Sequence, residues 1–562
     1  MAIIGIDLGT TNSLVSVWEN NECKVISNNF GDYLTPSMVG IDEKNHIVVG
    51  KLAKEIQLSK PQNVVSNFKQ FMGTRKKYKL GRKKYTAMEL SASVLKKLKD
   101  DAENYLGEVV EEAIISVPAY FDAMQRRQTK YAGEMAGFKV KKILNEPSAA
   151  ALAYRKDCKN EDEIFVVIDF GGGTLDISVV DVFDDVMEVV AVAGNNHLGG
   201  NDIDNLIVDK FLIQNQLDAS MLEVKEYVEL KRKAEWTKKR LSEEEEVILQ
   251  MELRSKQYEL KLDREGLKEL IHPVLGSLGS LLMQAIADSG YKLAEINEFI
   301  LVGGTCQMPL VREYISSFCK REGALNINPE MTTVIGAGIY SAISTRSDGI
   351  KDVILNDVCP FTLGVKIVSD DGNAHAIVDP IIEKNMALPI SRSKRYYIEP
   401  NKKKEKIIIT QGEEHLAYKN DWIGSVIVRL PGKQTEPEAI DVRFSYDING
   451  ILEVEVTVAR TSEKFTKVIV DEKLHLTEEE IAECREAFKQ IKYYPRESEK
   501  NQLLLQRGER IFREGTGEIR TLVNGLIQQF EDALDSNDKK IIEQEYIRIT
   551  EIFDRIEEES CR

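Results

Sequence analysis

Cysteine is scarce in this chain: seven residues in 562, scattered at 23, 158, 306, 319, 359, 484 and 561, with no Cys-x-x-Cys pair. That excludes a disulfide-stapled scaffold and a cysteine zinc site, and it leads one to expect a reduced, cytoplasmic compartment. Histidine is scarcer still, and none of the six stands at metal-ligand spacing from another. Positive charge is short as well. Seventy-five Lys and Arg face 92 Asp and Glu, a net charge of −17, which argues against a general binder of nucleic acid or of an anionic membrane surface. No apolar run is expected to span a bilayer, and the N-terminus lacks the basic start and cleavage site of a signal peptide. What is left, 43% hydrophobic and 30% charged residues, suits a soluble protein with several domains.

The most informative stretch is Asp7-Leu8-Gly9-Thr10-Thr11-Asn12, set between the apolar runs Ile3–Ile6 and Leu14–Trp18. It reads as strand, tight turn, strand. Gly9 lets the backbone approach a ligand, and the amides and hydroxyls of Thr10, Thr11 and Asn12 can donate to anionic oxygens. Asp7 can hold a hydrated cation. An ordinary hairpin explains the hexapeptide equally well, but the pattern recurs. Ile164 to Asp169, then Phe170-Gly171-Gly172-Gly173-Thr174 and the run from Leu175 through Asp176 to Val180, repeat strand, Asp, Gly, Thr and strand in order. Two such hairpins facing each other can grip a polyphosphate. Neither is a Walker A loop, since no Gly-Lys-Ser/Thr follows.

Residues 1 to about 345 alternate strand-like and helix-like segments, as α/β domains do, in two related halves. The strand before Pro118 and the strand before Gly303-Gly304 occupy matching places, each leading into a helix. Between the halves, Glu146-Pro147 opens an alanine-rich helix. Spacing alone gives Lys69 no role beyond a solvated lysine, and makes Glu146 a favourable helix-start charge. The run Lys231–Arg240 reads as a solvated helix face. Residues 348–358, with Val353, Ile354, Leu355, Asn356 and Asp357, read as an unusually apolar linker, or as the first strand of the next domain. Residues 359–474 read as a β-sandwich. Ile440–Tyr446 and Leu452–Val458 alternate strictly, with an Asn449-Gly450 turn between them. Residues 475–562 read as helical. A capping box at Thr477–Glu480 precedes the stripe Ile481, Cys484, Phe488 and Ile491. A second stripe is Ile519, Leu522, Val523, Leu526, Ile527 and Phe530, and a third is Ile542, Tyr546, Ile549 and Phe553.

Together these motifs resemble the 70-kDa heat-shock protein family of DnaK-type chaperones over essentially the whole length. Asp7–Asn12 and Asp169–Thr174 resemble its two phosphate loops, and Asn145-Glu146-Pro147, His197-Leu198-Gly199-Gly200 and Val302-Gly303-Gly304 also match. The segment Phe444–Gly450 looks most like the HscC-type subgroup. The resemblance implies a multidomain chain: an actin-like, ribonuclease-H-like α/β ATPase domain at 1–347, an interdomain linker at 348–358, a β-sandwich substrate-binding domain at 359–474 and a short helical lid at 475–562. It implies binding of ATP and ADP with Mg2+, and K+ as a further ion. By that match Asp7, Glu146 and Asp169 orient the hydrated metal, Lys69 reaches the attacked phosphate, and Thr10, Thr11 and Thr174 contact phosphates. Glu235, Lys238, Lys239 and Ser242 match the ribose and adenine contacts, joined by Gly199, Gly200, Gly303, Gly304 and Gln307. Val365, Ile407 and Ile440 match the peptide pocket. Unfolded polypeptide clients and a J-domain co-chaperone are implied, the exchange factor is left open, and a cytoplasmic monomer binding neither nucleic acid nor membrane is expected.

Two departures stand out. Gln307 replaces a common arginine that packs on adenine, and glutamine has no guanidinium plane to stack. Asn356 interrupts the apolar linker and is expected to weaken its docking. An actin-like small-molecule kinase or a filament-forming ATPase shares the fold expected of the first 345 residues, but leaves the β-rich and helical parts without a purpose.

Overall fold

The two halves seen in the sequence are two sheets that share four strands with the same wiring. In the first, the order is Lys139–Asn145, Glu112–Val117, Ile3–Asp7, Asn12–Glu19, Glu22–Ile26, with Thr35–Pro36 added beside Asn12–Glu19. In the second it is Glu298–Val302, Glu163–Phe170, Leu175–Phe183, Val186–Asn195, Ile354–Asn356. In both, the strand that carries the motif aspartate, Ile3–Asp7 or Glu163–Phe170, pairs parallel on one side and forms an antiparallel hairpin on the other. Asp7 is the last residue of the first of these strands, and Asp169 the last but one of the second. These strands read as continuous apolar runs because helices cover the sheets. The helices Glu146–Arg155 and Thr332–Ser344 pack tightly on one another, and Gly336 sits so close to the Ala149 carbonyl that no Cβ would fit.

This is a computed structural model, and it describes residues 2–155, 162–183, 186–254, 256–321, 323, 328–345, 353–368, 376–431, 435–447, 451–469, 499–515, 517–536 and 538–560. The Asn449-Gly450 turn, the 477–480 capping box, the 481–491 stripe and linker residues 348–352 lie outside the described residues. The chain divides into two compact units, Met1–Pro360 and Phe361–Arg562.

Helix Arg264–Ser289 corrects one expectation. By length and composition it is apolar enough to cross a bilayer. Leu267, Ile271, Leu278 and Leu282 instead bury it in the core of the second half, against the strands Leu175–Phe183 and Val186–Asn195. Of the residues read as a linker, Ile354–Asn356 form a sheet edge. Ile354–Asn356 runs parallel to Val186–Asn195, pairing Ile354 with Val186, Leu355 with Met187 and Asn356 with Glu188. Val353 and Leu355 pack on the core, whereas Ile354 is 60% exposed. Asn356 shares the side of Ile354, because strand side chains alternate, so it does not break the apolar side.

Among the described residues, the second unit holds two four-stranded antiparallel sheets and three α-helices. The sheets run Ala376–Ile382, Leu363–Val368, Lys404–Gln411, Asp421–Arg429 and Ile390–Ile398, Glu438–Tyr446, Leu452–Val458, Lys464–Ile469. The strict alternation read in the sequence fails in burial. Arg443, Ser445, Glu453 and Glu455 are buried although they alternate with the apolar core residues. Helices Glu499–Glu514, Gly517–Ser536 and Lys539–Ser560 close around Val523, Leu526, Phe530, Ile542, Ile549 and Phe553. Ile519 and Leu522, placed on the second stripe by spacing, are exposed.

Candidate nucleotide site

The two hairpin turns meet. A Cβ on Gly172 would run into the Thr11 side chain, and one on Gly173 would lie 2.8 Å from Thr10 Cγ2. Gln70 Nε2 donates to the Gly173 carbonyl at 2.7 Å, tying the second turn to the segment that carries Lys69. The second turn is also held from behind. Gly200 and Asn201 backbone amides donate to the Gly171 and Gly172 carbonyls at 3.0 and 2.7 Å, and Thr305 Oγ1 donates to Gly171 at 2.8 Å. Gly199 abuts the Gly172–Gly173 backbone. In the first turn, Ser37 Oγ donates to the Gly9 carbonyl at 2.7 Å. The buried Thr11 Oγ1 has no hydrogen-bond partner among the described residues. A donor left unpaired in a glycine-lined cleft suits an anionic oxygen.

Beneath the turns lies a carboxylate cluster around one ammonium. Lys69, in the 3-10 turn Phe68–Phe71, is buried and sits 3.0 Å from Glu146 Oε1. Its Nζ is also 5.4 Å from the Phe121 ring centre. Spacing gave this lysine no role; the fold removes it from solvent. Asp7 accepts from Ser116 Oγ at 2.8 Å, yet burial and then the charge of Glu146 push its carboxyl up to about 6. Burial, then Glu146, Asp176 and Asp7, hold Asp169 well above the usual carboxylate range. Asp176 is pushed up to about 8 by burial and then by Glu146. Both Asp176 oxygens are buried, and the Tyr120 backbone N–H is the smallest influence on its charge. Four carboxylates against one lysine leave negative charge unbalanced, and a cation relieves it. Among the described residues no three acidic or histidine groups stand close enough to ligate one ion directly. Carboxylates gathered in this way suit a hydrated divalent ion. Asp176 was missed as a site residue. The signal was available, since Asp169 and Asp176 are cross-strand partners in the hairpin register.

The nucleoside candidates form a second group. Lys238 is buried, donating to the Gly200 carbonyl and pairing with Asp204 Oδ1, both at 2.8 Å. It is not on a solvated face. Glu235 and Lys239 pair at 2.6 Å. Burial opposes ionisation of Glu235, but the Lys239 contact outweighs it and holds the carboxyl below its usual range. Helix Val224–Arg240 ends before Ser242, which lies in the following turn. Gly303, at φ +84°, lies against the Phe170 carbonyl at the end of Glu298–Val302. Gly304–Gln307 forms a 3-10 turn, and the helix expected at the Gly-Gly pair starts only at Pro309. Gln307 is exposed, and its Nε2 donates to Glu330 Oε2 at 3.3 Å.

The Hsp70 protein family model matches residues 3–80 and 75–561. The chain belongs to the Hsp70 protein family. It is similar to chaperone protein DnaK of Thermosipho melanesiensis, 34% identical over 591 residues, covering 100% of this chain and 96% of that protein. The DnaK of Thermotoga neapolitana is 32% identical over 588 residues and that of Thermotoga petrophila 33% over 592, with the same coverage. As an Hsp70, the chain is an ATP-dependent molecular chaperone that hydrolyses ATP on an actin-like domain, and it binds nucleotide with a divalent metal ion.

The peptide-pocket candidates of this Hsp70 lie in the second unit. Val365 and Ile407 sit in one sheet and Ile440 in the other, and all three are buried. Of the neighbouring lysines, Lys402 is spoken for. It lies 3.4 Å from Glu399 and 2.9 Å from Glu405. Lys406 stacks on Trp422, 4.8 Å from the ring centre.

Proposed function

We propose that residues 1–347 form the ATPase, 348–358 a signalling linker, 359–474 the peptide-binding sandwich and 475–562 a lid, with ATP turnover governing peptide release. The observation that carries this reading is the meeting of the two hairpin turns above the buried Lys69–Glu146 pair. In it, Thr10, Thr11, Asn12 and Thr174 donate to phosphate oxygens, and Gly9, Gly171, Gly172 and Gly173 let the backbone come close. Lys69 places positive charge beside the attacked phosphate and positions the water. Asp7, Glu146 and Asp169 hold the water shell of Mg2+, with Asp176 as a fourth carboxylate and K+ as a further ion. When bound, the metal neutralises charge developing on the phosphates. The chain's own part is positioning and charge complementarity, which phosphoryl transfer to water mostly requires.

On the nucleoside side, Glu235, Lys238, Lys239 and Ser242 take the ribose and base, with Gly199, Gly200, Gly303, Gly304 and Gln307 around them. Val365, Ile407 and Ile440 take an apolar side chain of an extended peptide bound by its backbone. We place the protein nearest the HscC-type subgroup, as a cytoplasmic monomer served by a J-domain partner, with its exchange factor open. Steady-state ATP turnover tests the reading. Unfolded polypeptide should accelerate it, and sugars or small acids should neither accelerate it nor become phosphorylated. A phosphorylated small acceptor would overturn it in favour of a kinase.

A further inference from the structure

Glu188 lies at the third position of Val186–Asn195, the strand to which the linker strand binds, and its neighbours are unusual. Across one side its register partner is Asn356. Across the other it is Asp181. The Tyr291 hydroxyl donates to Asp181 Oδ2 at 2.6 Å. Register partners point to the same face of a sheet, so Asn356, Glu188 and Asp181 form one polar row. The opposite face is apolar, with Leu355 beside the buried Met187.

This row has a charge problem. Two carboxylates stand side by side, and among the described residues no lysine or arginine pairs with either. Burial, and then the charge of Asp181, raise the Glu188 carboxyl above its usual range. Asp181 has a donor in Tyr291. Glu188 has none within its own sheet, and it faces the linker. The side chain delivered to it there is an amide with two N–H donors, on a strand only about 5 Å away. A leucine at 356 would set an alkyl group against a half-buried carboxylate.

We propose that Asn356 is a specificity-determining residue of the linker strand, its amide serving the Glu188 carboxylate and so pinning the register in which the linker docks. A one-residue slip would set Leu355 or Asp357 against Glu188, and a two-residue slip Ile354 or Val358. None of these can donate from its side chain. A single buried polar pair that fixes register is an established use of asparagine. The departure that seemed to weaken the linker then belongs to a matched set on the sheet.

The inference rests on the reading of 348–358 as a signalling linker, and its test separates the two. In the full chain, hydrogen exchange of the linker-strand amides is measured for wild type, Asn356→Leu, Glu188→Leu and the double variant. We expect each single change to lower protection by about threefold or more, and the apolar pair to regain most of it. A second cycle guards against misfolding at Glu188. Asn356→Asp should lower protection further by adding a third carboxylate, and Glu188→Gln should relieve it. Additive effects in both cycles, or higher protection in Asn356→Leu alone, would overturn the assignment. Equal wild-type protection in ATP and ADP would instead sink the signalling role, while both cycles stay readable.

Discussion

Lys69 Nζ lies 3.0 Å from Glu146 Oε1, and the two side chains are only 4% and 8% exposed. Residues 77 positions apart thus form an ion pair at the base of the cleft. Removing one partner of such a pair leaves a buried charge uncompensated, at about 3–5 kcal/mol.

Lys69→Ala should therefore have two separable effects. Single-turnover hydrolysis should fall by about a hundredfold or more while ATP still binds, because a contact made in the transition state is lost. The nucleotide-free variant should also melt at lower temperature. Hydrolysis at wild-type speed would remove Lys69 from the mechanism.

The Asp176 carboxyl makes stability depend on pH in a definite direction. Its pKa rises from 3.8 to about 8 on folding, so between these values the folded state holds the extra proton. Stability of the nucleotide-free protein then falls as pH rises through this window, and the penalty is complete above the folded pKa. Asp176→Asn should be nearly neutral for stability at the acid end and stabilising at the basic end. Urea titrations at both ends check this; a pH-independent difference would count against it.

Gln307→Arg should slow ADP release. An arginine restores a cation that can stack on adenine, worth about 0.5–2 kcal/mol, or about 2- to 30-fold in release rate. Glu330 already accepts from Gln307 and stands ready to orient the guanidinium. Stopped-flow release that is unchanged or faster would place position 307 away from the base.

A basic rim beside the peptide groove should rest on Lys403 and Lys404, since Lys402 is paired with Glu399 and Glu405. Peptides with acidic flanks should bind more tightly than neutral ones at low salt, and the preference should fade as salt screens it. Replacing Lys403 and Lys404 by serine should erase it, while Lys402→Ser should change little. Anisotropy titrations that favour basic flanks would exclude such a rim.

The two hairpins were legible in the sequence because short apolar runs and a glycine turn are local properties, written within a dozen residues. The repetition of that pattern, with the Gly199-Gly200 and Gly303-Gly304 pairs, carried the family resemblance as well. The helix ends were less legible. The helix expected at Gly303-Gly304 starts only at Pro309, because termini depend on packing as much as on propensity.

Only the tertiary structure decided which charges lose their water. Lys69 reads as a surface residue until the chain brings Glu146 to it, and Asp176 reads as one more polar position in a strand until the cleft closes around it. Arg443 and Glu455 alternate like solvent-facing residues, yet they are buried. Asn356 is a break in an apolar run until strand pairing sets it across from Glu188. Desolvation and ion pairing are properties of neighbours in space, and these neighbours lie far apart along the chain. Periodicity and turn chemistry belong to the sequence; the balance of buried charge that shapes this cleft exists only once distant segments meet.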